Sequence, residues 1–134
     1  MGYTSYLSGE IAITPPIQWR DLQDSPFVRA DHLGEWERLV WLRVLEDAET
    51  GESTPTRKRA VAIRPSKADD LRAYDLVPQV QEIVTAHSDR TFSGHILVRG
   101  EESPDIWRVR VHDGRAVGER PMLVWPDGTQ EPAQ

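Results

Sequence analysis

The 134-residue sequence contains no cysteine, so it offers no disulfide framework and no thiolate to bind a metal or attack a substrate. Long apolar runs are missing too. Stretches such as residues 39–42 and 122–125 stop at four residues, against the roughly 20 that a membrane-spanning helix requires. The N-terminus has neither a basic start nor an apolar stretch, which predicts no secretory signal. Its Met-Gly opening lacks the Ser or Thr at position 6 that N-myristoylation wants, because Tyr6 stands there. Positive charge is in deficit: 16 Lys and Arg stand against 22 Asp and Glu, a net charge of −6. That balance opposes general attraction to nucleic acid or anionic lipid, although a local patch can override it. These absences point to a cytoplasmic chain with no membrane partner.

Motifs that would carry chemistry are scarce as well. The four histidines, His32, His87, His95 and His112, show no H-x-x-x-H or H-x-H spacing. A zinc site across His95 and His112 would lack a third ligand and would lie among arginines that repel a cation. Glu101, Glu102 and Asp105 read as turn charges and Asp69-Asp70 as helix-start charges, since neither set has the alternating oxygen ligands of a calcium loop. No G-x-S-x-G elbow, G-x-G-x-x-G or G-x-x-x-x-G-K occurs. Ser93 with His112 would want a third, orienting carboxylate that the pattern does not supply. The expectation is therefore no catalytic residue, no metal and no cofactor.

What is present is a pattern of strands. Apolar residues make up 38% and charged residues 28%, enough for one continuous core, and the reading is a single α+β domain over residues 1–126. The remaining residues, 127–134, have nothing apolar to bury and are expected to form a flexible tail. Residues 6–13 alternate with period two, as a half-buried strand does. Thr14 followed by Pro15 then suggests a cap and first position for a short helix over residues 17–24, with Trp19 and Leu22 on one face. Residues 36–46 and 57–64 form a long hairpin of two strands around a polar loop. Leu76, Val80, Ile83, Val84 and His87 fall on one stripe of period 3.6, predicting a second helix with Asp75 as its N-cap and Pro78 in its first turn. An earlier helical turn is expected within residues 67–74. Two further strands follow over residues 91–99 and 106–112. Asp113-Gly114 marks a tight hairpin into a last strand running from Arg115 towards Trp125, bulged at Gly118.

The resulting order is β-α-β-β-α-β-β-β, with two helices on one face of a mainly antiparallel sheet of five or six strands, a ferredoxin-like variant being one form of it. Residues 7–13 and 92–98 echo each other, sharing apolar-Ser-Gly-x-Ile-x-apolar, which argues similar environments for the first strand and the strand at 91–99.

Register predicts a surface. With residues 100–105 as a loop, Arg99 opposes Ile106, Val98 opposes Trp107 and Ile96 opposes Val109. One face then carries Ile96, Val98, Trp107, Val109 and Val111. The other carries His95, Leu97, Arg99, Arg108, Arg110 and His112. A one-residue slip would exchange every side chain, so this clean segregation supports the register. Arg43, Arg57 and Arg59 extend the basic face if the neighbouring hairpin lies alongside. His95, Arg99, Arg108, Arg110 and His112 are the candidate binding residues. The plainer reading of the same face is arginine stems covering an exposed sheet while their heads stay in water. Of the five tryptophans, Trp107 and one or both of Trp36 and Trp41 belong in the core. Trp19 and Trp125 are the two that a partner surface would use.

Two stretches carry a resemblance: M-G-Y-x-x-Y-x-S-G-E-I-x-I-x-P-P-I-x-W at residues 1–19, and F-S-G-x-I-x-x-x-G-E-E-x-x-D-I-W-R-V-x-V-x-D-G-x-A-V at residues 92–117. Together they resemble a family of uncharacterised small proteins associated with actinobacteria and, more loosely, short phage proteins of unknown function. No activity comes with that resemblance; it implies a bacterial cytosolic or mobile-element setting. The functional expectation is a non-enzymatic module that binds a protein partner, such as an accessory or host-interaction factor. The rival is a nucleic-acid-binding module that uses the basic face; it lacks the aromatic stacking motif of RNA-recognition sheets, with only Tyr3 and Tyr6 as platforms.

Overall fold

Alternating apolar side chains from Ile11 onward give the chain its first and longest strand, and the rest of the molecule is built beside it. The computed structural model describes residues 4–22, 25–28, 38–47, 57–66, 75–102 and 105–132. Within them lie β1 (Ser5–Gln18), β2 (Val40–Asp47), β3 (Arg57–Pro65), the helix α1 (Leu76–Ala86), β4 (Thr91–Gly100), β5 (Ile106–His112), β6 (Arg115–Glu119), β7 (Met122–Val124) and β8 (Gln130–Pro132). Six strands form one sheet in the order β2-β3-β1-β4-β5-β6, with every neighbouring pair antiparallel. The last two strands make a separate hairpin.

This corrects the expected α+β layout with two helices: the described residues form mostly antiparallel sheet with a single α-helix. The helix expected after Thr14 is the one that fails. There β1 continues through Pro15 and Pro16 to Gln18, and only a 3-10 turn follows, over Trp19–Asp21. The reason lies in the second proline. A residue before proline is pushed out of the helical region, and this applies both to Thr14 and to Pro15 itself. Neither proline has an N–H for a ladder. They fall where the pairing of β1 with β3 shifts register, between Ala12 and Ile17, and just past the last pair with β4, Thr14 opposite Thr91. The Thr14–Pro15 peptide is cis. Ile17 then pairs with Ala60 and is fully buried. The earlier helical turn expected at residues 67–74 lies outside the described residues, as do Trp36 and most of the polar loop after β2.

The second predicted helix is α1, and its stripe is the expected one: Leu76, Val80, Ile83 and Val84 are all buried. Asp75 occupies the N-cap position without a side-chain capping bond. An 11-residue helix is roughly 16 Å long, whereas a six-stranded sheet is roughly 24 Å across. One helix therefore cannot cover the apolar face by itself. Leu22 and Phe27, from the connection after β1, join the same buried cluster. Beneath them lie Ile11 and Ile13 of β1, Val40 and Leu42 of β2, Ile63 of β3, Ile96 and Val98 of β4 and Val109 of β5.

Two glutamines fasten the helix at either side. The Leu39 N–H donates to Gln79 Oε1 at 2.8 Å, beside the start of β2. At the other edge of the sheet, Gln81 Oε1 accepts from the Ala116 N–H at 2.8 Å while its Nε2 donates to the Gly114 carbonyl at 3.3 Å. The amide thus occupies backbone groups on the edge strand β6, where an unpaired edge would invite another chain.

The internal echo has a geometric basis. β1 and β4 are adjacent antiparallel partners, with Gly9 opposite Ile96, Ile11 opposite Gly94 and Glu10 opposite His95 between them. Both glycines have positive φ, +87° and +98°. A Cβ on Gly9 would stand 2.6 Å from the His95 carbonyl oxygen, and one on Gly94 would stand 2.7 Å from that of Glu10. The repeated Ser-Gly-x-Ile is a local two-fold relation between neighbouring strands.

Candidate binding surface on the outer face and C-terminal hairpin

The predicted register of β4 and β5 is the observed one: Arg99 opposes Ile106, Val98 opposes Trp107 and Ile96 opposes Val109. Alternation therefore turns His95, Leu97, Arg99, Arg108, Arg110 and His112 away from the core. His95, Arg99, Arg108 and His112 are exposed, while Leu97 and Arg110 are half-buried. All five candidate residues lie on this one face. Asp113-Gly114 turns the chain as expected, both residues with positive φ, and sets Val111 opposite Ala116.

The same turn places a residue that sequence reasoning missed. Continuing the register puts Glu119 opposite Arg108 and Val117 opposite Arg110. Glu119 Oε1 accepts from Arg110 Nε at 2.7 Å and from Arg108 Nε at 3.0 Å. These bonds, Arg110's first, hold the Glu119 carboxyl below its ordinary value, and the bond to Glu119 raises Arg110. Elsewhere Arg43 on β2 pairs with Glu10 on β1 at 3.1 Å, and His112 Nε2 lies 3.3 Å from Asp113. The basic face is therefore partly neutralised from within. The register counted from Asp113-Gly114 was the signal that could have located Glu119.

The last predicted strand divides. β6 stops at Glu119, ahead of Pro121, and the chain starts a new hairpin in which Met122 pairs with Pro132, Leu123 with Glu131 and Val124 with Gln130. No apolar side chain of this hairpin is buried, and the backbone at residues 130–132, beyond Pro126, is paired. An Asx-type turn shapes its tip: Asp127 Oδ1 accepts from the Thr129 hydroxyl at 2.6 Å and from the Thr129 N–H at 2.9 Å. Those bonds hold the Asp127 carboxyl below its ordinary value. Met122, Leu123, Val124 and Trp125 are 54%, 50%, 64% and 50% exposed, so four consecutive large apolar side chains face solvent. Trp125 is the tryptophan of the predicted pair that is exposed; Trp19 is half-buried against the core with Lys58 Nζ 4.8 Å from its ring centroid.

Between this hairpin and the basic face lies a groove of about 440 Å³. Leu97 and Ile106 give it apolar lining from the sheet, His95, Arg108 and Arg120 line it with nitrogen and Glu119 with a carboxylate, and Pro121 and Met122 join from the hairpin side. Among the described residues no group of three or more His, Cys, Asp or Glu could hold a metal ion. Among them, too, no helix is long and apolar enough to cross a membrane. The arrangement offers apolar contact bordered by guanidinium donors.

The chain belongs to a family of unknown function (DUF6205), whose model matches residues 1–134. No curated protein and no solved structure matches it.

Proposed function

We propose that this chain is a protein-interaction module rather than an enzyme, and that its contact surface joins the basic outer face to the C-terminal hairpin. The supporting observation is the run from Met122 to Trp125, at least half exposed throughout, beside a groove with apolar walls and an arginine border. Exposed contiguous apolar surface rimmed by polar residues marks contact sites on soluble proteins, and Trp and Arg are the residues that most often anchor them. A reducing cytoplasm suits a chain without cysteine, and the bacterial or mobile-element setting belongs to the same proposal, with the gene's neighbours as its test.

Pull-downs from the native host test the surface. Leu123→Glu with Trp125→Glu, and separately Arg108→Glu with Arg110→Glu, should each lose bound partner while circular dichroism stays unchanged. An unaltered partner set in both variants would overturn the reading.

One observation favours nucleic acid as a second reading. Tyr6, 55% exposed, stands opposite Arg99 on the outer face, a ring beside a cation of the kind that single strands stack on. Weighing against it are the net charge of −6 and the two arginines already held by Glu119. Salt-dependent retention on mixed RNA and DNA, abolished by Tyr6→Ala with Arg99→Ala, would favour this second reading.

A further inference from the structure

The hairpin has two faces, and they differ chemically. Alternation puts Met122 and Val124, with their partners Pro132 and Gln130, on one side. Leu123 and its partner Glu131 lie on the other, and the Trp125 N–H bonded to the Thr129 carbonyl at 2.8 Å extends the ladder towards the tip. The first face carries no charge. The second pairs an apolar side chain with a carboxylate. A two-stranded ribbon with apolar side chains on both faces is not stable bare in water, so two covering surfaces are wanted.

We propose, resting on the interaction reading above, that the occupant of the groove is the hairpin of a second copy of this chain, exchanged reciprocally about a two-fold axis. The Leu123–Glu131 face enters the partner's groove, whose apolar lining includes Leu97 and Ile106. Charge complementarity selects that face: Glu131 meets Arg108, which lines the groove next to Arg110, its fellow donor to Glu119. Both of those arginines reach Glu119 Oε1 through Nε, and a guanidinium has five N–H donors, so this bond leaves each fork able to meet a second carboxylate. The uncharged Met122–Val124 face packs on its own symmetry mate. A two-fold exchange closes on itself and supplies both covers from one kind of chain, as an isologous interface does. A chance partner would have to supply both.

Sedimentation of the full chain tests this across a wide concentration range. The wild type is expected to pass from monomer to dimer, without larger species. Glu131→Lys alone and Arg108→Glu alone should each weaken self-association tenfold or more, the effect of reversing one close charge pair. Mixing the two single variants should restore the dimer, because one arm then keeps Glu131 on Arg108 and the other places the new lysine on the new glutamate. A chain carrying both changes should dimerise on its own. A wild type that stays monomeric, an equimolar mixture that does not reassociate, or growth into open polymers would overturn the proposal. The interaction reading fails separately: a monomer whose pull-down partners still depend on Leu123 keeps that reading and loses only the second copy as occupant.

Discussion

Two glycines at the centre of the sheet show how closely single residues constrain this molecule. Gly9 and Gly94 each let the facing strand's carbonyl approach to a distance no Cβ tolerates, with a positive φ besides. Gly94→Ala should cost about 1–3 kcal/mol, the range for a backbone held in a sparsely populated region, and urea titration would measure it. Glu119 is the matching residue on the surface. Its carboxyl is held low by Arg110 and then Arg108, so the folded state keeps it ionised at pH values where the unfolded chain binds a proton. Its contribution is therefore present above the ordinary value of 4.5 and lost as pH falls through the lower folded value. Being exposed and screened, that contribution is small. Glu119→Gln should flatten the acid limb of the stability profile and increase retention of the protein on a cation exchanger at pH 7. Glu119 was legible only by carrying the hairpin register one strand further, whereas His95, Arg99, Arg108, Arg110 and His112 followed directly from alternation on adjacent strands.

At the scale of elements, α1 rests on its stripe and on its ends. His87 closes the helix, its N–H bonded to the Ile83 and Val84 carbonyls. Burial, reinforced by Arg90 and opposed by Asp89 and Asp21, lowers its imidazole below the ordinary 6.5. The unfolded chain thus takes the proton first, and stability should decline as pH falls below about 6.5. Thermal unfolding at pH 7 and pH 5 should show the drop, and His87→Asn should diminish it. Gln81 guards the β6 edge. Gln81→Ala should cost roughly 1 kcal/mol for its lost hydrogen bonds, read by the same urea titration. The helix was legible because its 3.6-residue period is long and unbroken. The strand at residues 14–18 was not, because Thr-Pro is a helix-start signal taken alone and becomes an extended one only when the second proline is counted. Likewise, Pro121, which has no N–H to give a ladder, marks where the last strand divides.

Across the whole molecule the two sheet faces have separate duties. Among the described residues, α1, Leu22 and Phe27 pack on one; over β4 to β6 the other carries exposed arginines and is flanked by an apolar hairpin. The sequence made the charge of that second face visible but not its neighbour, because the hairpin's residues read as a strand end and a frayed tail until Pro121 and the Asp127 turn set them apart. Amide hydrogen exchange at low and high protein concentration tests self-association through this surface most directly. Raising the concentration should slow exchange in β7 and β8 and at Ile106 to Arg108, leaving the core strands β1 and β3 unchanged. Equal exchange rates there at both concentrations, or slowing confined to the β2 edge, would contradict it.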